Sequence, residues 1–459
     1  MASLKSKEIT ATKLSPGSSS KGGKQKPRAA KSIPGPSRWE TLRRLYPYPF
    51  PKLPAFLRDI AHRYGRIVRF SLPSRSFVML NDPEQIKDVL ITQQHAFHKS
   101  EGGRALRWLL GDGLLTSEDP RHRQMRRIVQ PAFHRERIEQ YTQTMQRFAD
   151  DWVAQARDGE TIDIAVSMSA LTLRIASETL FGVDADADAR EVRDALQDTM
   201  EVYPLSIGPL GKIRRRLRFL SSTRRFENAR ARLDRILYRL IEERRAQPAA
   251  RTDALSLLLT AEDPETGYHL NDEQVRDEAM TLFLAGHETT ANALVWSWYL
   301  LAQNPDVEAR LHADVDAGSL EYARRVLRES MRLYPPAWIV GREAQRDVTL
   351  AGGYDIPAKT TVFVCQLVLH RLPQFYREPL RFDPDRWLHD ELPQFAYAPF
   401  GGGARRCIGE EFAWTEGALV LATIARRFKF RAQFTGEPEY EALVTLRPKG
   451  PMPMRVCAR

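Results

Sequence analysis

The run Phe400-Gly401-Gly402-Gly403-Ala404-Arg405-Arg406-Cys407-Ile408-Gly409 sets one cysteine behind a glycine triplet and two arginines. Successive glycines permit a backbone path, and a close approach to something flat or bulky, that side chains forbid. A helix reads as opening at Cys407, which places the sulfur near the positive end of a helix dipole. That end lowers a thiol pKa and favours the thiolate, and Arg405 adds positive charge. A thiolate in such a loop suits a soft or borderline metal. The same residues also read as a plain glycine-rich turn before a helix with a buried cysteine. A phosphate loop is a further reading, although its Lys-Ser/Thr ending is missing.

Ala285-Gly286-His287-Glu288-Thr289-Thr290 lies inside a long helical pattern. A mid-helix glycine costs about 1 kcal/mol relative to alanine, and a threonine hydroxyl turned onto a helix carbonyl bends the helix. An acid beside a hydroxyl at a loosened turn can relay protons through water. The plain alternative is an amphipathic helix with a solvated Glu288, against which its apolar neighbours argue, because buried acids need partners. Glu329 and Arg332 stand three apart and share a helix face, where an exposed pair is common and weak. His122 and Arg126 stand four apart, two donors suited to a carboxylate or phosphate. The arginines around them equally fit a solvated basic helix.

These groups need elements to hold them. Two strands are expected over 67–72 and 76–80, around Pro73-Ser74, from their β-branched and aromatic residues. Asn81-Asp82-Pro83-Glu84 then caps a helix. Helical periodicity covers 121–132, 136–156, 168–181, 188–202, 224–246, 271–303 and 320–333, and a last helix runs from just after Cys407 to about 427. Short strands are expected at 348–350 and 361–364. The fold class is therefore mainly α with minor sheet in two separated regions, as one large domain over 34–459. Residues 1–33 are rich in Ser, Gly, Lys and Pro and read as a disordered basic tail.

The tail holds eight basic residues and one acid, so about +7 of the formal +11 is local to it and the high pI does not indicate nucleic-acid binding. No zinc-finger or RNA-binding motif occurs in the body. Three cysteines, Cys365, Cys407 and Cys457, make no disulfide framework and fit a reducing, cytoplasmic setting. No apolar run is expected to reach the roughly 18 to 20 residues that span a bilayer. The longest, over 291–302, is broken by polar residues.

In this order the motifs resemble the cytochrome P-450 superfamily, over essentially all of residues 34–459. The family's cysteine pattern is met at Phe400, Gly403, Arg405, Cys407 and Gly409, and its oxygen-activation pattern at Ala285, Gly286, Glu288 and Thr289. Its Glu-x-x-Arg pattern is met at Glu329 and Arg332, with Arg386 as the third member of that ion network. Trp387 stands where Phe is commoner. The resemblance implies a triangular, mainly helical fold and a haem b (iron protoporphyrin IX) whose iron takes Cys407. It implies that His122, Arg126, Arg342 and Arg405 meet the propionates, and that Ala285, Gly286, Phe400 and Gly409 lie beside the cofactor. The implied activity is a monooxygenase inserting one atom of O2 into a lipophilic substrate. Thiolate ligation favours O–O cleavage, and Glu288 and Thr289 deliver protons. Electrons come from a separate ferredoxin or flavodoxin with its reductase.

The chain departs from the pattern in a short stretch before the Glu329 helix, where a helix often found is expected to be missing. No N-terminal anchor is expected, as in the soluble bacterial branch, and no reductase fused after Arg459 is expected either. The expected pocket walls are Leu106, Leu109, Leu282, Ala285, Ala337, Trp338, Ile339 and Val340, all apolar. The overall spacing is similar to bacterial members acting on fatty acids, terpenoids or carotenoids. A peroxide-driven peroxygenase is the alternative, against which the acid–alcohol pair argues. A non-enzymatic haem-thiolate sensor would need a signalling module that is not seen. A monomer is expected. Arg121, Arg123, Arg127, Arg135 and Arg406 are expected to form a basic face for the electron donor. The basic and apolar stretch 211–220, with Ile213, Leu217 and Phe219, either touches membrane transiently or packs inward.

Overall fold

The computed structural model describes residues 31–459 apart from 47–48, 74, 183–188, 208–210, 212, 215, 218–219, 248–252 and 390. Residues 1–30 of the expected tail, and much of the 211–220 stretch with Phe219, lie outside the described residues. Ile213 is exposed and Leu217 half-buried, so the inward packing expected of Ile213 is not what it does.

The helix Asp272–Gln303 is the beam of the molecule. Asn271 caps it in a reciprocal box, accepting from the Gln274 N–H at 2.9 Å while the Gln274 side chain takes the Asn271 N–H at 2.9 Å. Asp272 and Glu273 suit its positive end, and Pro305 follows its last turn. Its 32 residues reach about 48 Å at 1.5 Å each. Burial on nearly every face from Val275 to Leu301 marks it as a core helix. Ile164–Phe181, Ser221–Ala246, Glu321–Leu333 and Glu410–Ala425 pack against it.

Ile164–Phe181 corrects one expectation, because it is long and apolar enough to cross a bilayer. It carries Arg174 and Glu178, and most of it is buried against its neighbours, as a core helix requires. Asp163 caps its start and Gly182, in the left-handed region at φ 59°, ends it.

Of the strands expected in two separated stretches of chain, Thr361–Val364 joins the strands near residue 70, while Val348–Leu350 pairs only with Tyr354–Ile356. A five-stranded sheet runs in the order Ile67–Leu72, Arg75–Leu80, Thr361–Val364, Val340–Ala344, Phe97–Lys99. Arg75–Leu80 and Thr361–Val364 pair in parallel, across nearly 300 residues of chain. Thr161–Asp163, Pro453–Ala458 and Phe428–Ala432 form a three-stranded sheet that ties the chain's end to its middle. Strands of three to six residues that pair at such range leave no local period to read. Pro305–Asp316 and Glu321–Leu333 are separated by four residues, so the expected shortening before the Glu329 helix is present.

Candidate active site

The glycine triplet earns its place sterically. Gly401 and Gly403 adopt φ of 72° and 69°, and a Cβ on Gly403 would sit 1.8 Å from the Leu90 carbonyl oxygen. The Cys407 N–H closes the loop on the Phe400 carbonyl at 3.0 Å. The helix begins only at Glu410, with Gly409 as its cap. Cys407 therefore does not open the helix, and the expected lowering of its thiol pKa is overturned. Burial pushes the thiol up to about 11, opposed by the Gly409 N–H, Arg126 and Arg406 and reinforced by Glu410. The side chain is nevertheless accessible. A thiol crowded by protein yet still reachable from solvent lies in a recess, not on a convex surface. Cys365 is the inert contrast, fully buried and pushed up to about 12.

Five basic side chains converge on one place. His122 is buried on helix Arg121–Val129, one turn from Arg126. Lys99 and Arg342 face each other as direct partners on adjacent antiparallel strands, an arrangement of like charges that ordinarily destabilises a sheet. Arg405 joins them from the cysteine loop, pairing with Glu118 and donating to the Ser117 carbonyl at 3.0 Å. Burial lowers Lys99 to about 7, with Arg405 and Arg342 adding to the shift and Glu118 opposing it. Burial and Arg405 lower Arg342 to about 10, and burial, Arg405 and Lys99 hold His122 at about 3. Glu118 and Asp119 are the acids opposing these shifts, so the cluster carries more cation than anion. An anionic ligand with more than one carboxylate would relieve that repulsion. Lys99 was not foreseen, since one lysine in a strand carries no pattern.

The third component is the turn at Ala285. The helix is unbroken there, so the local opening expected at Gly286 is not seen. Three successive carbonyls nevertheless each accept a hydroxyl: Ala285 from Thr289 at 2.7 Å, Gly286 from Thr290 at 3.4 Å, and His287 from Thr172 at 3.1 Å. Ala285 is exposed in a helix otherwise largely buried. A Cβ on Gly286 would lie 3.3 Å from Leu180 Cδ1, so close helix packing is the use of this glycine. The Glu288 carboxylate does not meet Thr289. It accepts from Thr445 Oγ1 at 2.7 Å, and Asn292 donates to that oxygen at 3.4 Å. Glu416, on the last helix, is fully buried near the Thr290 hydroxyl, with neither carboxyl oxygen in a well-formed hydrogen bond. Burial pushes it up to about 8, opposed by Thr290. Thr172, Thr445 and Glu416 had no signal in the sequence.

The family model for cytochrome P-450 matches residues 33–454. The chain belongs to the cytochrome P-450 family. It is a monooxygenase of that family, whose cofactor is haem. Cyclooctatin synthase of Streptomyces melanosporofaciens is 38% identical over 390 residues, covering 80% of this chain and 83% of that protein. Cyclooctat-9-en-7-ol 5-monooxygenase of the same organism is 39% identical over 389 residues, covering 80% and 83%. Pentalenene oxygenase of Streptomyces avermitilis is 32% identical over 452 residues, covering 92% and 94%.

In this cytochrome P-450 the Glu329–Arg332 pair is no surface pair. Both side chains are fully buried, and Arg386 joins them, its Nε donating to Glu329 Oε1 at 2.9 Å. Arg332 also donates to the carbonyls of His370 at 2.9 Å, Pro379 at 2.6 Å and Arg381 at 3.0 Å. Of the expected pocket walls, Leu106, Leu109, Leu282 and Trp338 are buried, Ile339 and Val340 half-buried, and Ala337 exposed. Trp338 belongs to the core, its indole N–H donating to the Leu443 carbonyl at 3.0 Å. The arginines expected to form a free basic face are each paired: Arg121 with Asp112, Arg123 with Asp119, Arg127 with Asp263 and Glu265, Arg135 with Glu139, and Arg406 with Glu410. An open cleft of about 440 Å³ between Arg38, Arg69 and Arg75 shares no residue with these motifs and is not the reaction site.

Proposed function

We propose that this cytochrome P-450 hydroxylates a terpenoid, with Cys407 as the residue that would hold the iron of haem b and a separate ferredoxin or flavodoxin, with its reductase, as electron donor. The observation that carries the ligand assignment is the accessible Cys407 thiol in a recess, held by a loop only glycines can form. The terpenoid assignment rests on relatives named for cyclooctat-9-en-7-ol and pentalenene.

The residues divide the work as follows. Arg126, Arg342, Arg405, His122 and Lys99 would hold the propionates, whose negative charge would offset the repulsion among these bases. Phe400, Gly409, Ala285 and Gly286 would lie beside the macrocycle. Cys407 would hold the iron as its thiolate, because ligation requires the deprotonated sulfur. When bound, the haem supplies the oxygen-inserting chemistry. Thr289 already donates its proton to the Ala285 carbonyl, so its free lone pairs accept from water or an incoming group. Glu288, whose carboxylate accepts from Thr445, is the acid placed to pass a proton on. Leu106, Leu109, Leu282, Ala337, Ile339 and Val340 supply the apolar wall for a hydrocarbon skeleton.

The test is a panel of polycyclic terpene hydrocarbons and alcohols, carotenoids and fatty acids, read by substrate-induced difference spectra. Turnover then follows under labelled O2 with a surrogate ferredoxin and reductase. Terpenes should give a substrate-induced spin shift and emerge carrying one labelled oxygen. Spin shifts with fatty acids alone would overturn the terpenoid assignment, and unlabelled product would overturn the use of O2.

A further inference from the structure

Residues 111–117 form a strap whose two sets of backbone groups are claimed by opposite charges. Two of its N–H groups bond to the long helix: Asp112 N–H donates to Asp277 at 2.7 Å, and Leu114 N–H to Glu278 at 3.0 Å. The carbonyls of Leu114 to Ser117 are taken by cations instead. Lys99 Nζ donates to Leu114 at 3.2 Å and also to Leu115, Arg107 to Thr116 at 3.3 Å, and Arg405 to Ser117 at 3.0 Å. One turn earlier, Arg276 donates to the Leu109 carbonyl at 3.0 Å while its Nε holds Asp234 of helix Ser221–Ala246 at 2.6 Å.

Three consecutive charged residues, Arg276, Asp277 and Glu278, thus grip one stretch of backbone from a helix that is otherwise a core element. All three are buried. Charges are costly there unless paired, and the strap supplies part of that pairing. The fit is steric as well. Gly111 adopts φ of 62°, and a Cβ on it would sit 2.0 Å from Asp277 Oδ1. A Cβ on Gly113 would sit 2.6 Å from Thr281 Oγ1. The strap lies flat on the helix because both positions are glycine. Nothing in the family's cysteine, acid–alcohol or Glu-x-x-Arg patterns involves these residues.

We propose that Asp277 and Glu278 are positioning residues that clamp the strap and thereby set two things at once. On one side is the apolar wall at Leu106 and Leu109, immediately before the strap. On the other are the bases Lys99 and Arg405, which bond to its carbonyls. The inference rests on the reading of Leu106 and Leu109 as pocket wall and of those bases as propionate contacts. Loosening the clamp widens the wall and lets the bases drift, so bulky ligands and haem are held less well, while a small ligand at the iron is not affected.

The experiment uses the holoenzyme with Asp277→Ala, Glu278→Leu and Glu278→Gln. The glutamine keeps an acceptor for the Leu114 N–H, whereas leucine removes it. Asp277→Ala removes the other acceptor without adding bulk, should leucine prevent folding. Imidazole and econazole are titrated against the Soret band, haem loss to excess apomyoglobin is timed, and hydrogen exchange is followed over 109–117. Asp277→Ala and Glu278→Leu should bind econazole about tenfold more weakly and lose haem several-fold faster. Their imidazole affinity should stay within twofold of wild type, and exchange at Asp112 and Leu114 should quicken. Glu278→Gln should stay near wild type in each. Equal weakening for both azoles, a glutamine variant as impaired as the leucine, or unchanged exchange would overturn the clamp. A wild type that gives no azole shift would instead overturn the ligand reading, and exchange over the strap alone would then decide the clamp.

Discussion

Glu329→Gln separates a surface pair from a buried network by magnitude. As an exposed pair three residues apart, Glu329 and Arg332 would contribute about 0.2 to 0.5 kcal/mol. Here Glu329 accepts from Arg332 at 2.8 and 2.9 Å, from Arg386 at 2.9 Å and from the Asp383 N–H at 3.1 Å, with no exposed surface. Glutamine preserves the volume but leaves two buried guanidinium groups without an anion and turns an amide N–H₂ toward their donors. Removing one partner of a buried pair costs about 3 to 5 kcal/mol. Unfolding entropy of about 2.1 cal/mol/K per residue gives about 1.0 kcal/mol/K over the 459 residues, so Tm should fall by about 3 to 5 °C. Thermal melts followed by circular dichroism, with the Soret-to-280 nm ratio of the purified protein, measure both stability and haem content. Glu329→Gln/Arg332→Met should recover part of the loss, because one stranded cation is gone. A single variant with full haem and a Tm within 1 °C of wild type would refute the argument.

Cys407→Ala should abolish the strongly red-shifted Soret band of the reduced carbonyl complex, and Cys365→Ala should keep it; the reverse pattern would remove Cys407 from the iron. Thr289→Ala should retain haem and substrate binding while diverting most reducing equivalents to peroxide, which product and peroxide assays per electron will check. Unchanged coupling would exclude Thr289. Glu416 has its folded-state pKa raised above the unfolded value, so its contribution to stability is fully present below about pH 4.5 and lost as pH rises through about 8. Glu416→Gln should therefore gain on wild type across that window by up to about 1.4 kcal/mol per pH unit, and denaturant titrations showing a pH-independent difference would contradict this. His370, fully buried and held at about 3 by burial and Arg332, works in the opposite sense. Its stabilisation is present above about pH 6.5 and lost as pH falls toward 3, so His370→Gln should flatten the acid limb of the stability curve.

The chemistry of this protein was legible where it depends on neighbours in the chain. Phe400 to Gly409 need their order because the backbone itself makes the loop, and Glu329 and Arg332 need their spacing because a helix turn sets it. The long helix announced itself through its apolar length. Other features belonged to the fold alone. Whether Glu329–Arg332 is trivial or central depends on burial and on Arg386, which lies 54 residues beyond Arg332. Cys407 was assigned a helix dipole that begins three residues too late, and desolvation, which no spacing reveals, then reverses the direction of its pKa shift. Glu288 turns to Thr445 instead of the adjacent Thr289 because consecutive helix residues point about 100° apart. Lys99 and Arg342 become partners only when two short strands pair across more than 240 residues. Local order wrote the motifs; burial and long-range pairing decided which charges meet, because desolvation and Coulomb energy depend on distance through space and not along the chain.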